Sequence, residues 1–174
     1  PPQTVLINPN AEGGFENGPS FADNGWTVVN DGTNKWEVGT ATKNGGVRGA
    51  YVSSDGGITN TYIGSVAQVS HFYRDVDFPA GQLMIRLKFN FRGGSSQDYM
   101  SIFLIPTEST PIAGIELTDA GGIGSGVGVA QAEYAFVSRI IPSSAAGTTK
   151  RLVFSWRNNG ISTINPPVAI DNIE

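Results

Sequence analysis

Two acidic residues near opposite ends of the chain are placed to act together. Glu16 lies in a glycine-rich turn after the first candidate strand, and Asp171 lies in the last one. In an antiparallel jelly roll the first and last strands are neighbours, so these two carboxylates can converge. Such a pair suits a hard cation, and calcium accepts the irregular mixture of carboxylates and backbone carbonyls on offer. Asn17, Asn172 and Asp98 are further candidate ligands. Asp98 joins them because it opens an apolar strand, where an unpaired charge is costly. The competing reading is that Glu16 and Asp171 only accept backbone hydrogen bonds in turns.

Sugars stack on exposed rings, and Trp36, Tyr62 and Tyr134 lie near enough to turns to form such a platform. Trp26 and Trp156 read as core, and no cluster of aromatic residues singles out a face. Catalytic signatures are scarce. The chain has no cysteine and one histidine, so thiol nucleophiles and disulfides are excluded and a structural zinc site lacks its usual ligands. A serine triad would have to use His71, and no G-x-S-x-G elbow accompanies it. His71 reads instead as a polar residue on a strand face beside Tyr73 and Asp75. The glycine-dense run 121–128 lacks both G-x-G-x-x-G spacing and the lysine of a phosphate-binding loop. Asp75 and Asp77 share a strand face, but like charges so placed mark exposure more readily than glycoside hydrolysis. The chain is expected not to be an enzyme.

The elements behind these residues are strands. Residues 83–92 alternate, with Leu83, Leu87, Phe89 and Phe91 expected inward and Met84, Arg86, Lys88, Asn90 and Arg92 outward. Residues 151–157 repeat the pattern with Leu152, Phe154 and Trp156 inward. Residues 99–105 are nearly continuously apolar, which suits a strand buried on both faces, and they stop at Pro106. Weaker strands are expected at 4–7, 26–29, 36–38, 50–52, 66–76, 134–141 and 169–173. Turn signals such as Asn24-Gly25, Asp31-Gly32 and Gly93-Gly94 separate them. Residues 121–128 are expected to form a mobile loop. The result is an all-β chain, an antiparallel jelly-roll β-sandwich that reads as one domain over residues 1–174.

Composition agrees. The 174 residues include 23 glycines and 10 prolines, with 15% charged and 39% hydrophobic residues, and lack the Ala, Leu, Glu and Lys runs of a helical protein. Seventeen aromatic residues (nine Phe, five Tyr, three Trp) argue against disorder. A net charge of −4 argues against nucleic acid as a partner. No apolar run approaches the ~18 residues of a membrane span, so membrane insertion is not expected. No signal peptide precedes Pro1, which leaves the location of a parent protein open.

Several segments carry a resemblance: FENG at 15–18, YVSSDGG at 51–57, SHFYRDVDFPAG at 70–81, DYM at 98–100, PIAG at 111–114, RLVFSWRN at 151–158 and PPVAIDNI at 166–173. Together they resemble the non-catalytic jelly-roll modules of Bacteroidetes surface proteins exported by type IX secretion. The layout is similar to cleaved-adhesin and MAM-like domains and, more distantly, to calcium-bearing carbohydrate-binding modules. The resemblance implies calcium near a glutamate like Glu16 and an aspartate like Asp171. It also implies a secreted or cell-surface location, neighbouring domains in a larger protein, and a polysaccharide or cell-surface glycan as partner. A passive spacer domain without a ligand is the alternative.

Overall fold

The computed structural model describes residues 3–82, 84–118, 122–127 and 131–174. Its ten strands run in the order β1 (Thr27–Val29), β2 (Lys35–Gly39), β3 (Gly49–Ser53), β4 (Gln68–Asp77), β5 (Ile85–Gly93), β6 (Tyr99–Ile105), β7 (Gly122–Val127), β8 (Gln131–Ile141), β9 (Thr149–Asn158) and β10 (Ala169–Asp171). Two antiparallel five-stranded sheets result, one ordered β1-β4-β9-β6-β7 and the other β2-β3-β10-β5-β8. The chain passes repeatedly from one sheet to the other, as a jelly roll requires. Among the described residues helical turns occur only at Ala22–Asn24 and Ser143–Ala145.

The alternation in β5 has the expected register. Leu87, Phe89 and Phe91 are buried, whereas Met84 stands 63% exposed and Arg86 also faces solvent. A slip of one residue would exchange those faces. Leu83 lies outside the described residues. In β9 Leu152, Phe154 and Trp156 fill the core, and Val153 is buried on the opposite side. Between the sheets Phe72 and Phe154 stack at 4.9 Å, and Trp36 meets Phe72 edge-on at the same separation.

Two expectations differ from the structure. Residues 4–7 form no strand; beside β5 the ladder of β10 is continued by Glu174, which exchanges backbone hydrogen bonds of 2.9 and 2.8 Å with Lys88. The glycine-dense run, expected as a loop, contributes β7 through its described residues 122–127. That strand pairs with β6 at the sheet edge with shifts in register. A ladder needs only backbone amides, and an edge strand with one neighbour tolerates the missing side chains.

Each sheet carries a loop across its outer surface. Over the first sheet, residues 106–118 are tied down through Gly114 N–H to Val69 O at 2.9 Å and through the Arg151 guanidinium to Ser109 O at 2.9 Å. Beneath that loop lie Phe103, Ile105 and Val153, with Leu117 packed on them. Over the second sheet, residues 40–48 fold back until Thr42 meets the Tyr134 hydroxyl on β8 at 3.3 Å. Tyr51 on β3 is wholly buried beneath, with its hydroxyl donating to Gly57 O at 2.5 Å.

Candidate functional site

Asp171, the last residue of β10, points to the outer side of the second sheet and is only 1% exposed. Burial pushes its carboxyl up to about 7; the amides of Asn44 and Asn172 pull the other way, and the nearby Glu16 raises it further. Asn44 N–H donates to Oδ2 at 2.6 Å and Asn172 N–H to Oδ1 at 2.8 Å. Among the described residues no Lys or Arg forms an ion pair with it. Glu16 grips the other end of the same loop. Val47 N–H donates to its carboxylate at 2.9 and 3.0 Å, and Arg48 N–H at 3.0 Å.

The two carboxylates therefore clamp residues 44–48 from opposite sides, and local backbone geometry supports the clamp. Gly46 has φ +58°, and a Cβ there would overlap a Glu16 carboxylate oxygen. Phe15 and Asn172, next to Glu16 and Asp171 in sequence, hold φ of 58° and 53°. Asparagine tolerates this left-handed region, but phenylalanine adopts it at a cost of about 1–2 kcal/mol. The chain ends meet as expected: Ile173 N–H donates to Gly13 O at 2.9 Å. The carboxylates accept backbone hydrogen bonds, and Glu16 lies near enough to Asp171 to raise its carboxyl further.

The remaining candidate ligands divide. Asn172 belongs to the clamp, its amide oxygen accepting from Asn44 Nδ2 at 2.8 Å. Asn17 is exposed, and its backbone N–H goes to Asn24 Oδ1 at 3.0 Å. Asp98 opens β6 in the other sheet, apart from the clamp. It is buried, accepting from the Tyr62 hydroxyl and from Asn159 N–H at 2.8 Å. Its buried charge is met by donors, which is the same physical need satisfied without a metal. Among the described residues no three His, Cys, Asp or Glu side chains gather as a metal cluster, so a cation at Glu16 and Asp171 would draw its other ligands from carbonyls, amides or water. That donor chemistry, all oxygen and unsupported by histidine or thiolate, fits a hard cation.

The aromatic candidates also divide. Trp36 is 1% exposed and donates its indole N–H to Ser70 O at 3.0 Å, so its ring is core. Tyr62 is 3% exposed and packs edge-on against Trp156 at 5.4 Å. Burial and the Asp98 hydrogen bond push its phenol up to about 12. Nearness to a turn misled in both cases, because both rings turn into the core between the sheets. Tyr134 alone faces the outer side of the second sheet, half-buried under Thr42, and burial raises its phenol to about 12.

Beyond Tyr134 the outer face is open. Phe136, two residues further along β8, is 65% exposed and stands opposite Asn90 of β5. Asn90 in turn neighbours Asp171 of β10. The period-two pattern that put Asn90 and Arg92 outward also puts Phe136 beside Tyr134, so the sequence held the signal for this face. A separate cavity of about 690 Å³ opens at the sandwich edge between residues 3–7 and β5, lined mainly by apolar side chains such as Leu6, Phe78 and Ile85. None of the candidate site residues lines it.

The catalytic candidates are engaged structurally. His71 is fully buried on β4, and its Nε2–H donates to Ile112 O and Ile115 O, both at 3.1 Å. Two facing carbonyls fix the proton on that nitrogen. Asp75 is held by both arms of the Arg151 guanidinium at 2.7 and 3.0 Å, and Asp77 accepts from Thr149 at 2.5 Å.

No protein-family model matches the chain, and no curated protein matches it in sequence. Solved structures do share its fold. TmCBM61, determined in complex with beta-1,4-galactotriose, superposes with a TM-score of 0.56 at 14% identity, covering 95% of each chain. The K1 cleaved adhesin domain of Lys-gingipain from Porphyromonas gingivalis W83 gives 0.50 at 17% identity, over 85% of this chain and 88% of that one. The enzymatically active domain of tailspike protein 4 from bacteriophage CBA120 gives 0.56 at 16% identity; 96% of this chain is covered but it spans only 21% of the tailspike chain. At these identities what is shared is the β-sandwich.

Proposed function

We propose that this chain is a non-catalytic glycan-binding module of a secreted or surface bacterial protein, clasped by calcium. The observation that carries it is the open half of the second sheet, where an exposed Phe136 ring stands beside the Asn90 amide. A ring supplies a stacking surface, and an amide offers both donor and acceptor to sugar hydroxyls. Rigid strands fix the pair, and the same fold in TmCBM61 accompanies a bound galactotriose. Tyr134 belongs to this face, whereas Trp36 and Tyr62 do not. The cleaved adhesin domain of similar fold supports the surface-protein setting. Against catalysis stand the buried, doubly bonded His71 and the Asp75 carboxylate held by Arg151.

Calcium would be held by Glu16 and Asp171, with Asn172 beside them. It would neutralise the buried Asp171 carboxylate and fix residues 44–48, which bound the open face. The test is a polysaccharide-shift gel on the isolated chain and on Phe136→Ala. Binding lost in the variant supports the reading; binding unchanged in Phe136→Ala removes this face from it. Failure of every glycan to bind leaves the passive spacer.

A further inference from the structure

Charge is unevenly spread over this acidic chain. On the first sheet Arg151 pairs with Asp75 at 2.7 Å and Arg157 with Glu116 at 3.4 Å, while Arg74 lies over the Trp26 ring at 5.2 Å with Nη1 buried and without an acceptor. On the second sheet β5 turns Arg86, Lys88 and Arg92 outward on one face, with Asn90 among them. Arg86 to Arg92 spans about 20 Å at the ordinary rise of ~3.3 Å per residue. Lys88 shares its charge with Glu174 at 3.1 Å. Among the described residues neither Arg86 nor Arg92 has a carboxylate within ion-pair distance, and Arg92 Nε is buried without an acceptor. Of the other acidic groups on this sheet, Glu37 and Asp171 belong to the half that the loops cover, and Glu133 is exposed on β8. A chain of net charge −4 thus sets three cationic side chains along an open sheet face, with Asn90 and the Phe136 ring among them.

The geometry points to an anionic polysaccharide, bearing carboxylates or sulfates at intervals along an extended chain, as the ligand of this face. The inference rests on the reading of the face as glycan-binding and adds the class of glycan. The exposed Arg86 guanidinium is a directional donor for a carboxylate or sulfate oxygen. The ring and amide between the cations supply contacts to the sugar itself, which a purely electrostatic surface lacks.

The experiment compares polymers of one backbone with and without charge: hyaluronan against its carboxyl-reduced form, and dextran sulfate against dextran. Titration calorimetry at constant calcium reads the affinity of the parent, Arg86→Ala, Arg92→Gln and Phe136→Ala. Arg86 is exposed, so its substitution leaves the fold intact, and a melting curve checks Arg92→Gln. The expected result is binding to a charged member at least tenfold tighter than to its neutral twin. That binding weakens with added salt and severalfold in either arginine variant, and it is lost in Phe136→Ala. Preference for hyaluronan names the carboxylate, and preference for dextran sulfate names the sulfate. Equal binding of charged and neutral twins, or arginine variants that bind like the parent, overturns this inference and leaves the glycan reading standing. Equal binding of duplex DNA and of the polysaccharides overturns it as charge without sugar recognition. No binding of any polymer overturns both.

Discussion

The two outer faces of the sandwich solve one problem with opposite chemistry. Each is crossed by a long loop, and each loop is pinned by a buried titratable side chain. On the first sheet a neutral His71 donates to two carbonyls of residues 106–118. On the second an acidic Asp171 accepts amides from Asn44 and Asn172. The histidine pin is a neutral group held through Nε2 alone, its Nδ1 buried without a partner. The aspartate pin is a buried carboxyl whose proton burial holds up to about pH 7, with Glu16 nearby raising it further. On the calcium reading we propose, the difference separates a structural strap from a ligand-dependent clasp, and the clasped loop borders an open face.

Removing the aspartate should have the largest effect. Asp171→Ala leaves two buried amides without acceptors, at about 1–3 kcal/mol each. An expected loss of about 2–4 kcal/mol corresponds to roughly 5–15 °C in melting temperature for a chain of this size. Calorimetry should also show the response to calcium abolished. Asp171→Asn keeps an acceptor and removes the charge, so it should lose the calcium response with a smaller loss of stability. Asp23→Ala, in an exposed turn held by Ser20, should leave the response intact.

Next comes the metal itself. A cation bound only by the folded chain adds about 2.7 kcal/mol at a hundredfold excess over its Kd. Chelator should lower the melting temperature by several degrees and added calcium restore it. Glu16→Gln should blunt that response, and His71→Gln should not touch it. A parent that ignores chelator and contains no calcium by elemental analysis would reduce the clasp to a set of hydrogen bonds.

The pins should also respond to pH with opposite signs. Burial holds His71 below its ordinary 6.5, opposed in part by the carbonyls of Ile112 and Ile115. Below pH 6.5 the unfolded chain therefore binds a proton that the folded chain resists, and stability falls as pH drops from 6.5 toward the depressed value. Asp171, raised from 3.8 to about 7, works in reverse. Its folded form keeps a proton that the unfolded chain releases, so the stability it lends at low pH is lost as pH rises through 7. Calcium should suppress the aspartate contribution, leaving a steeper loss on acidification below 6.5. His71→Gln can still donate an N–H to the strap and should flatten that slope. Melting curves at pH 5 to 8, with calcium and with chelator, read both effects. An unchanged slope in His71→Gln would assign the acid response to another group.

The sequence made this architecture legible wherever side chains had to alternate. Leu87, Phe89, Phe91 and the β9 set are buried as their period requires, because one wrong residue would invert a whole face. It misled where backbone hydrogen bonds decide. The glycine run 122–127 joins β6 as a strand, and Glu174, not residues 4–7, pairs with Lys88. The nearness of Glu16 and Asp171 was legible because jelly-roll connectivity brings the chain ends together. The separate place of Asp98 was not, since a carboxylate at a strand mouth can be met by a tyrosine. Trp36 and Tyr62 show that a ring beside a turn can still face the core.

The smallest expected effect on stability belongs to Phe136, and it separates the open face from both pins. The ring is 65% exposed and stands on β8, which has β5 as its ladder partner. Truncation to alanine should change stability by no more than about 0.5 kcal/mol, as for other surface positions. The calcium response and both pH slopes should survive, because neither Asp171 nor His71 lies under it. Affinity for the glycan should nevertheless fall at least tenfold, equivalent to about 1.4 kcal/mol. A ring without a packing duty and with a large binding effect is there for the ligand. Should Phe136→Ala instead lower the melting temperature by several degrees while leaving binding unchanged, the ring packs the face rather than reads a sugar. The ligand would then have to be sought elsewhere, beginning with the apolar cavity beside residues 3–7.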